Sequence, residues 1–87
     1  MPYKIFYIEK VVKDTIPSIP QTDKGIIVKA INERLTVDPI GFGKPLRYKL
    51  KGYRRLRVGD WRVIYRVEGQ NVTITAIVNR RDAYKGR

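Results

Sequence analysis

Two short glycine turns within an alternating sequence constrain the fold of this 87-residue chain more than any other feature. Val58-Gly59-Asp60-Trp61 and Glu68-Gly69-Gln70-Asn71 each place glycine first in a two-residue turn, as tight β-hairpins do. The segments on either side alternate apolar and polar residues with a period of two, which is typical of strands that bury one face. Two such hairpins in series predict an antiparallel three-stranded meander.

The turns also predict the pairing of the strands, because the loop length of a hairpin fixes its register. Val58 is expected to face Trp61, and Arg57 to face Arg62; beyond the second turn, Val67 is expected to face Val72. One sheet face is then apolar and forms the core with the helices: Leu56, Val58, Trp61, Val63, Tyr65, Val67, Val72, Ile74, Ala76 and Val78. The opposite face carries Tyr53, Arg55, Arg57, Arg62, Ile64, Arg66, Thr73, Thr75 and Ile77. Continued alternation places Asn79 and Arg81 on this open face, and Arg80 with the core residues.

The first half of the chain predicts one strand and two helices. Residues 3–8 are aromatic and β-branched, as in strands, and a short helix should follow and stop near Pro17. A second helix should begin near Gln21 or Thr22 and end at Asp38-Pro39, with a buried stripe at the helical spacing: Ile27, Ala30, Ile31 and Leu35. Residues 40–45 are predicted to be a loop. The expectation is a single α+β domain with its helices packed on the apolar sheet face.

The composition excludes several classes of function. The chain has no cysteine and no histidine, so thiol nucleophiles, imidazole bases and zinc sites are not available. Only Asp60, Glu68 and Asp82 are acidic in the second half, which argues against a two-metal nuclease; we expect no cofactor. No apolar run approaches the roughly 20 residues of a membrane span, and no signal peptide is recognisable. These features predict a cytoplasmic protein with no membrane partner.

The positive charge is concentrated in the second half of the chain. The net charge is +11, and residues 44–87 hold thirteen basic against three acidic residues, a net +10. The predicted Arg57–Arg62 pair puts like charges directly opposite each other, which destabilises a sheet. An anion held between the two guanidinium groups would relieve that repulsion, and Arg matches phosphate geometry well. The alternative is an ordinary solvated sheet face whose arginines spread into water.

At the residues around these arginines, the chain resembles the RelE/ParE toxin superfamily, and most of all the RelE mRNA interferases. The resemblance rests on the order of elements and on two segments, Leu56-Arg57-Val58-Gly59-Asp60-Trp61-Arg62-Val63-Ile64-Tyr65 and Arg80-Arg81-Asp82-Ala83-Tyr84. It implies a toxin of a type II toxin–antitoxin pair that cleaves mRNA in the ribosomal A site. It also implies three partners: a cognate antitoxin with an acidic or amphipathic segment, mRNA, and the 70S ribosome with its RNA.

The resemblance further implies roles for individual residues. Arg62, Arg81 and Tyr84 take the catalytic positions, whereas phosphate binding falls to Arg55, Arg57, Lys49, Lys51 and Arg80. The chain departs from the RelE pattern in having arginines where RelE has lysines on the second strand of the meander, and in a shorter hairpin before Arg62.

RNA cleavage without metal or histidine is chemically feasible, because the 2′-hydroxyl of the substrate can itself attack the adjacent phosphate. Arginines suit charge stabilisation but are poor acids or bases, since their pKa lies above about 12. Clustered cations lower the pKa of neighbouring groups, which leaves Tyr84 or a lysine such as Lys49 or Lys51 for proton transfer. Two other hypotheses remain open: a ParE-like inhibitor of DNA gyrase, and an RNA-binding module without catalysis.

Overall fold

The computed structural model describes residues 2–46 and 52–80, which form a mixed α+β fold. In chain order the elements are β1 (Lys4–Tyr7), α1 (the helical turns Val11–Thr15 and Ile16–Ser18), α2 (Gln21–Ala30, continued by Ile31–Leu35), α3 (Pro39–Phe42), β2 (Lys44–Pro45), β3 (Tyr53–Val58), β4 (Trp61–Glu68) and β5 (Asn71–Asn79). The sheet order is β1-β5-β4-β3-β2. Only β1 is parallel to its neighbour among these strands. Within the described ranges, no helix has the length and apolarity required to cross a membrane.

The two glycine turns form the hairpins that the sequence predicts. Gly59 and Gly69 both have φ of +60°, a conformation that costs glycine little because it has no Cβ. Every predicted pair between β3 and β4 is present, including Val58 with Trp61 and Arg57 with Arg62. The meander is therefore confirmed, and β1 and β2 extend it at its two edges.

The predicted register of β5 is wrong beyond Ile74, because a β-bulge interrupts this strand. Tyr65 pairs with Ile74 but Ile64 pairs with Ala76, so Thr75 is an extra residue without a partner in the ladder. Its hydroxyl instead donates to the carbonyl oxygen of Ile64 at 3.3 Å. A bulge exchanges the faces of all residues that follow it.

The exchange corrects five of the predicted orientations. Ile77 is 5% exposed and belongs to the core, whereas Val78 is 36% exposed and lies opposite Arg62 on the open face. Asn79 pairs with Trp61 on the helix side. Ala76 pairs with Ile64 of the open face, and Arg80 lies with Arg57 and Arg62 rather than with the core.

The helices pack on the predicted sheet face. The stripe of α2 is buried as expected, and Ile31 and Leu35 are fully excluded from solvent between this helix and the sheet. Helix α1 ends at Ser18, one residue beyond Pro17, and Ile19 is extended. Trp61 is only half-buried and donates its indole N–H to Asp23 Oδ2 of α2 at 3.3 Å, which satisfies the polar end of this core residue.

The prediction of a loop over residues 40–45 is wrong, because this segment contains helix α3 and strand β2. Asp38 caps α3 by accepting a hydrogen bond from the Gly41 backbone N–H at Oδ1, 2.9 Å away, and Pro39 suits the first helical turn. The buried hydroxyl of Tyr65 donates to the Pro39 carbonyl oxygen at 2.6 Å. These contacts hold α3 against the sheet and start β2 beside β3.

Candidate functional site

Arg57 and Arg62 lie directly opposite each other on the open sheet face. Val58 and Trp61 close the two-residue hairpin, so the neighbouring Arg57–Arg62 pair belongs to the alternate type of antiparallel pair that exchanges no backbone hydrogen bonds. The Leu46 N–H donates to the Tyr53 carbonyl oxygen at 2.9 Å, so the backbone of Tyr53 is directed away from β4. Arg57, four residues later on β3, has the same orientation. Side chains approach most closely in such pairs, so the predicted concentration of positive charge is present.

Arg80 joins this pair because of two local features at the end of β5. The bulge at Thr75 shifts the alternation by one residue. The backbone N–H of Arg80 then donates to the Asp60 carbonyl oxygen at 2.6 Å, which fastens the end of the strand to the β3–β4 turn. The alternation of apolar residues contained no signal for this placement.

The three arginines line a small cleft of about 80 Å³ together with Gly59, Asp60 and Trp61. None of the three forms an ion pair with another residue in the described ranges, Asp60 included. Three guanidinium groups around one opening provide forked donors for the oxygens of a phosphate-like anion. Chemically, this arrangement can hold an anion and stabilise negative charge that develops on it.

A second cleft of about 200 Å³ lies along the edge of β3, beside the first residue of β2. Arg55 lines this cleft and not the first one, whereas Arg57 lines both. The remaining lining residues are Arg34, Phe42, Lys44 and Leu56. The two arginines of β3 that the sequence analysis grouped together therefore share the second cleft, and only Arg57 also lines the first.

Two other arginines of the sheet are engaged in structural contacts. Arg66 donates to the Tyr53 hydroxyl at 3.3 Å and pairs with Glu68 at 3.5 Å. Arg54, which the sequence analysis did not assign to a face, lies opposite Tyr65 on the helix side. Its guanidinium donates to the carbonyl oxygens of Ile40 and Gly43 at 2.9 and 3.3 Å. Arg54 therefore anchors α3.

Four of the predicted site residues lie outside the described residues. These are the catalytic candidates Arg81 and Tyr84 and the phosphate-binding candidates Lys49 and Lys51. The structure thus brings together Arg57, Arg62 and Arg80, and places Arg55 in the neighbouring cleft.

Comparison with known proteins identifies the family. The family model described as "ParE toxin of type II toxin-antitoxin system, parDE" matches residues 8–84. Toxin RelG of Mycobacterium tuberculosis is 28% identical over 87 residues, covering 98% of this chain and 99% of that protein.

Solved structures agree with this assignment. The toxin–antitoxin complex RelBE2 from M. tuberculosis contains a chain with a TM-score of 0.85 and 27% identity, covering 92% of this chain and 100% of that one. The RelE–RelB complex from Pyrococcus horikoshii OT3 gives 0.64 and 26%, covering 92% and 97%. This chain therefore belongs to the ParE/RelE family of type II toxin–antitoxin toxins.

Proposed function

We propose that this toxin is a metal-independent, ribosome-dependent endoribonuclease that cleaves mRNA in the A site and thereby inhibits translation. The observation that carries the proposal is the cleft of Arg57, Arg62 and Arg80, three cations with no ion-pair partner among the described residues. Like charges placed together reduce the stability of a sheet. The presence of three arginines at one point therefore favours a function that requires an anion there, since functional sites often contain arrangements that reduce stability.

The proposed reaction uses the RNA itself as the nucleophile. The 2′-oxygen forms a bond to the adjacent phosphorus and loses its proton to a base, while the bond from phosphorus to the 5′-oxygen breaks and that oxygen gains a proton. The products are a 2′,3′-cyclic phosphate and a 5′-hydroxyl end. Arg62, with Arg57 and Arg80, stabilises the negative charge that builds up on the phosphoryl oxygens.

The two proton transfers are assigned to residues outside the described ranges. Arg81 and Tyr84 complete the proposed catalytic set, and Lys49 and Lys51 add to phosphate binding with Arg55. A cluster of guanidinium groups favours the ionised form of a nearby tyrosine and the neutral form of a nearby lysine. Either change brings a proton-transfer group closer to neutral pH, where general acid–base catalysis is most effective.

The proposal includes a cognate antitoxin. The similar M. tuberculosis structure is a toxin–antitoxin complex, and the net charge of +11 favours an acidic or amphipathic partner segment. Such a segment would inhibit the toxin by covering Arg62 and neighbouring arginines.

The test is to add the toxin to a translating extract and to map new mRNA ends. Wild type should produce cuts in translated mRNA but none in naked RNA. Arg62→Gln should reduce the cleavage rate about 100- to 1,000-fold, as loss of one group that stabilises developing charge does. Lys29→Gln, which removes one exposed charge from the helix side, is the matched control and should cleave normally. A folded wild-type protein that leaves mRNA intact would refute the proposal.

Inhibition of DNA gyrase is a second candidate, because the matching family model is that of ParE toxins. Double-strand breaks in DNA with intact mRNA would select it. A non-catalytic RNA-binding module is the third. Arg81→Ala distinguishes this module from the nuclease, since a catalyst should lose cleavage while it largely keeps RNA binding.

A further inference from the structure

The second cleft, at the edge of β3, combines an exposed aromatic ring with positive charge. Phe42, the last residue of α3, is 51% exposed. The other residues that line the cleft are basic, apart from buried Leu56: Arg34, Lys44, Arg55 and Arg57. Within the described residues, no carboxylate lines this cleft and none of its cations forms an ion pair. An aromatic surface beside unneutralised cations has the composition of sites that bind single-stranded nucleic acid.

The backbone that carries Phe42 is held by the fold around it. Arg54 holds the Ile40 and Gly43 carbonyl oxygens on either side of Phe42, and Lys44 pairs with Arg55 immediately afterwards. The ring is therefore presented by backbone that is bonded to the sheet before and after it. Preorganisation of this kind reduces the entropy lost when a ligand binds.

The second cleft is also connected to the first. Arg57 lines both clefts, and Arg55 lies two residues before it on the same strand face, about 6.6 Å away along the strand. A single RNA strand can thus place one phosphate among Arg57, Arg62 and Arg80, and the next at Arg55. The base of that neighbouring nucleotide would then reach Phe42.

We infer that the cleft of Phe42, Lys44, Arg55 and Arg57 is a subsite for one nucleotide of single-stranded RNA, with the base stacked on Phe42. This inference rests on the proposed function, because the nucleotide concerned is the neighbour of the one that is cleaved. The preponderance of arginine over lysine in the cleft favours RNA over an acidic peptide, since guanidinium groups match phosphate oxygens in pairs and also stack on bases.

The experiment measures binding of a fluorescein-labelled 2′-O-methyl RNA pentanucleotide, which lacks the attacking hydroxyl, by fluorescence anisotropy. Phe42→Ala should weaken binding about five- to tenfold, the lower part of the range for loss of one stacked base, and Phe42→Trp should retain wild-type affinity. Phe6→Ala is the matched control, because Phe6 is 48% exposed but lies on β1 at the opposite edge of the sheet. It should leave binding unchanged.

Pentanucleotides with an abasic site at each position in turn identify the base concerned. The affinity of wild type for one of these abasic RNAs should match the affinity of Phe42→Ala for the intact RNA. Phe42→Ala should bind that abasic RNA with the same affinity, because the base and the ring make one shared contact. Equal affinity of Phe42→Ala and wild type for the intact RNA would overturn the subsite. So would a result in which, for every abasic position, the loss of affinity from Phe42→Ala and the loss from the abasic site multiply. If Phe42→Ala lost affinity for an acidic peptide probe but not for RNA, the cleft would be assigned to a protein partner and the RNA subsite would be overturned.

The mRNA cleavage assay separates this inference from the proposed function. Intact cleavage by wild type with no effect of Phe42→Ala on RNA affinity overturns only the subsite. Absence of cleavage by wild type overturns the proposed function, and with it the placement of the base beside a cleaved phosphate.

Discussion

Replacement of Gly43, the buried residue that follows helix α3, by alanine should destabilise the protein strongly. A Cβ at this position would lie 1.7 Å from the Tyr65 hydroxyl oxygen and 2.7 Å from its Cζ. Both distances are far below van der Waals contact. Tyr65 is fully buried, so its ring has no solvent space into which it can move. The φ of Gly43 is −101°, so the cost arises from the close approach and not from backbone strain.

The size of the effect follows from the two interactions that the methyl group disrupts. Displacement of the ring breaks the buried hydrogen bond of 2.6 Å from Tyr65 to the Pro39 carbonyl oxygen, and an unsatisfied buried polar group costs about 1 to 3 kcal/mol. Overpacking of the core adds about 1 to 3 kcal/mol. The expected loss is therefore about 2 to 6 kcal/mol, a large part of the roughly 5 to 15 kcal/mol that stabilises a typical domain.

Urea unfolding followed by the fluorescence of the single tryptophan, Trp61, measures the loss. Gly25→Ala is the matched control, because a Cβ at Gly25 meets no atom within 4 Å and alanine stabilises a helix interior by about 0.5 to 1 kcal/mol relative to glycine. In a Tyr65→Phe background, Gly43→Ala should cost at least about 1 kcal/mol less, since the nearest atom is gone. A Gly43→Ala variant within about 0.5 kcal/mol of wild type would refute the packing argument, and an unchanged cost in that background would refute the role of the hydroxyl.

Three further predictions concern pH, charge and salt. Burial raises the pKa of the Tyr65 hydroxyl above its ordinary value near 10, so the free energy of unfolding should fall as pH rises from about 10, where the unfolded chain ionises first. Urea unfolding of Tyr65→Phe should show a shallower decline; an identical one contradicts the assignment. Arg57→Ser should raise the free energy of unfolding by about 0.2 to 1 kcal/mol in low salt, and a gain that persists in 1 M salt would exclude relief of charge repulsion. The slope of log affinity for RNA against log salt should flatten by about 0.7 in Arg62→Gln, as for loss of one phosphate contact to a single strand; an unchanged slope in anisotropy titrations would exclude that contact.

The sequence by itself determined the meander, because its signals are local. Gly59 and Gly69 require positive φ in two-residue turns, and this requirement fixes the pairing of β3 with β4 and thus the apposition of Arg57 and Arg62. The apolar stripe of α2 likewise identified its buried face. Such features depend on neighbours a few residues apart, so sequence patterns predict them well.

Only the tertiary structure decided which arginines meet in the cleft. Strand β5 offers apolar residues in both phases of its alternation near its end, and packing selected burial of Ile77 over Val78 through a bulge at Thr75. Which of the two side chains fits the core depends on residues that are distant in sequence, so it is a long-range property. That choice brought Arg80 to Arg57 and Arg62. The contacts of Tyr65 and Arg54 with α3, which position Phe42, also join segments that are distant in sequence.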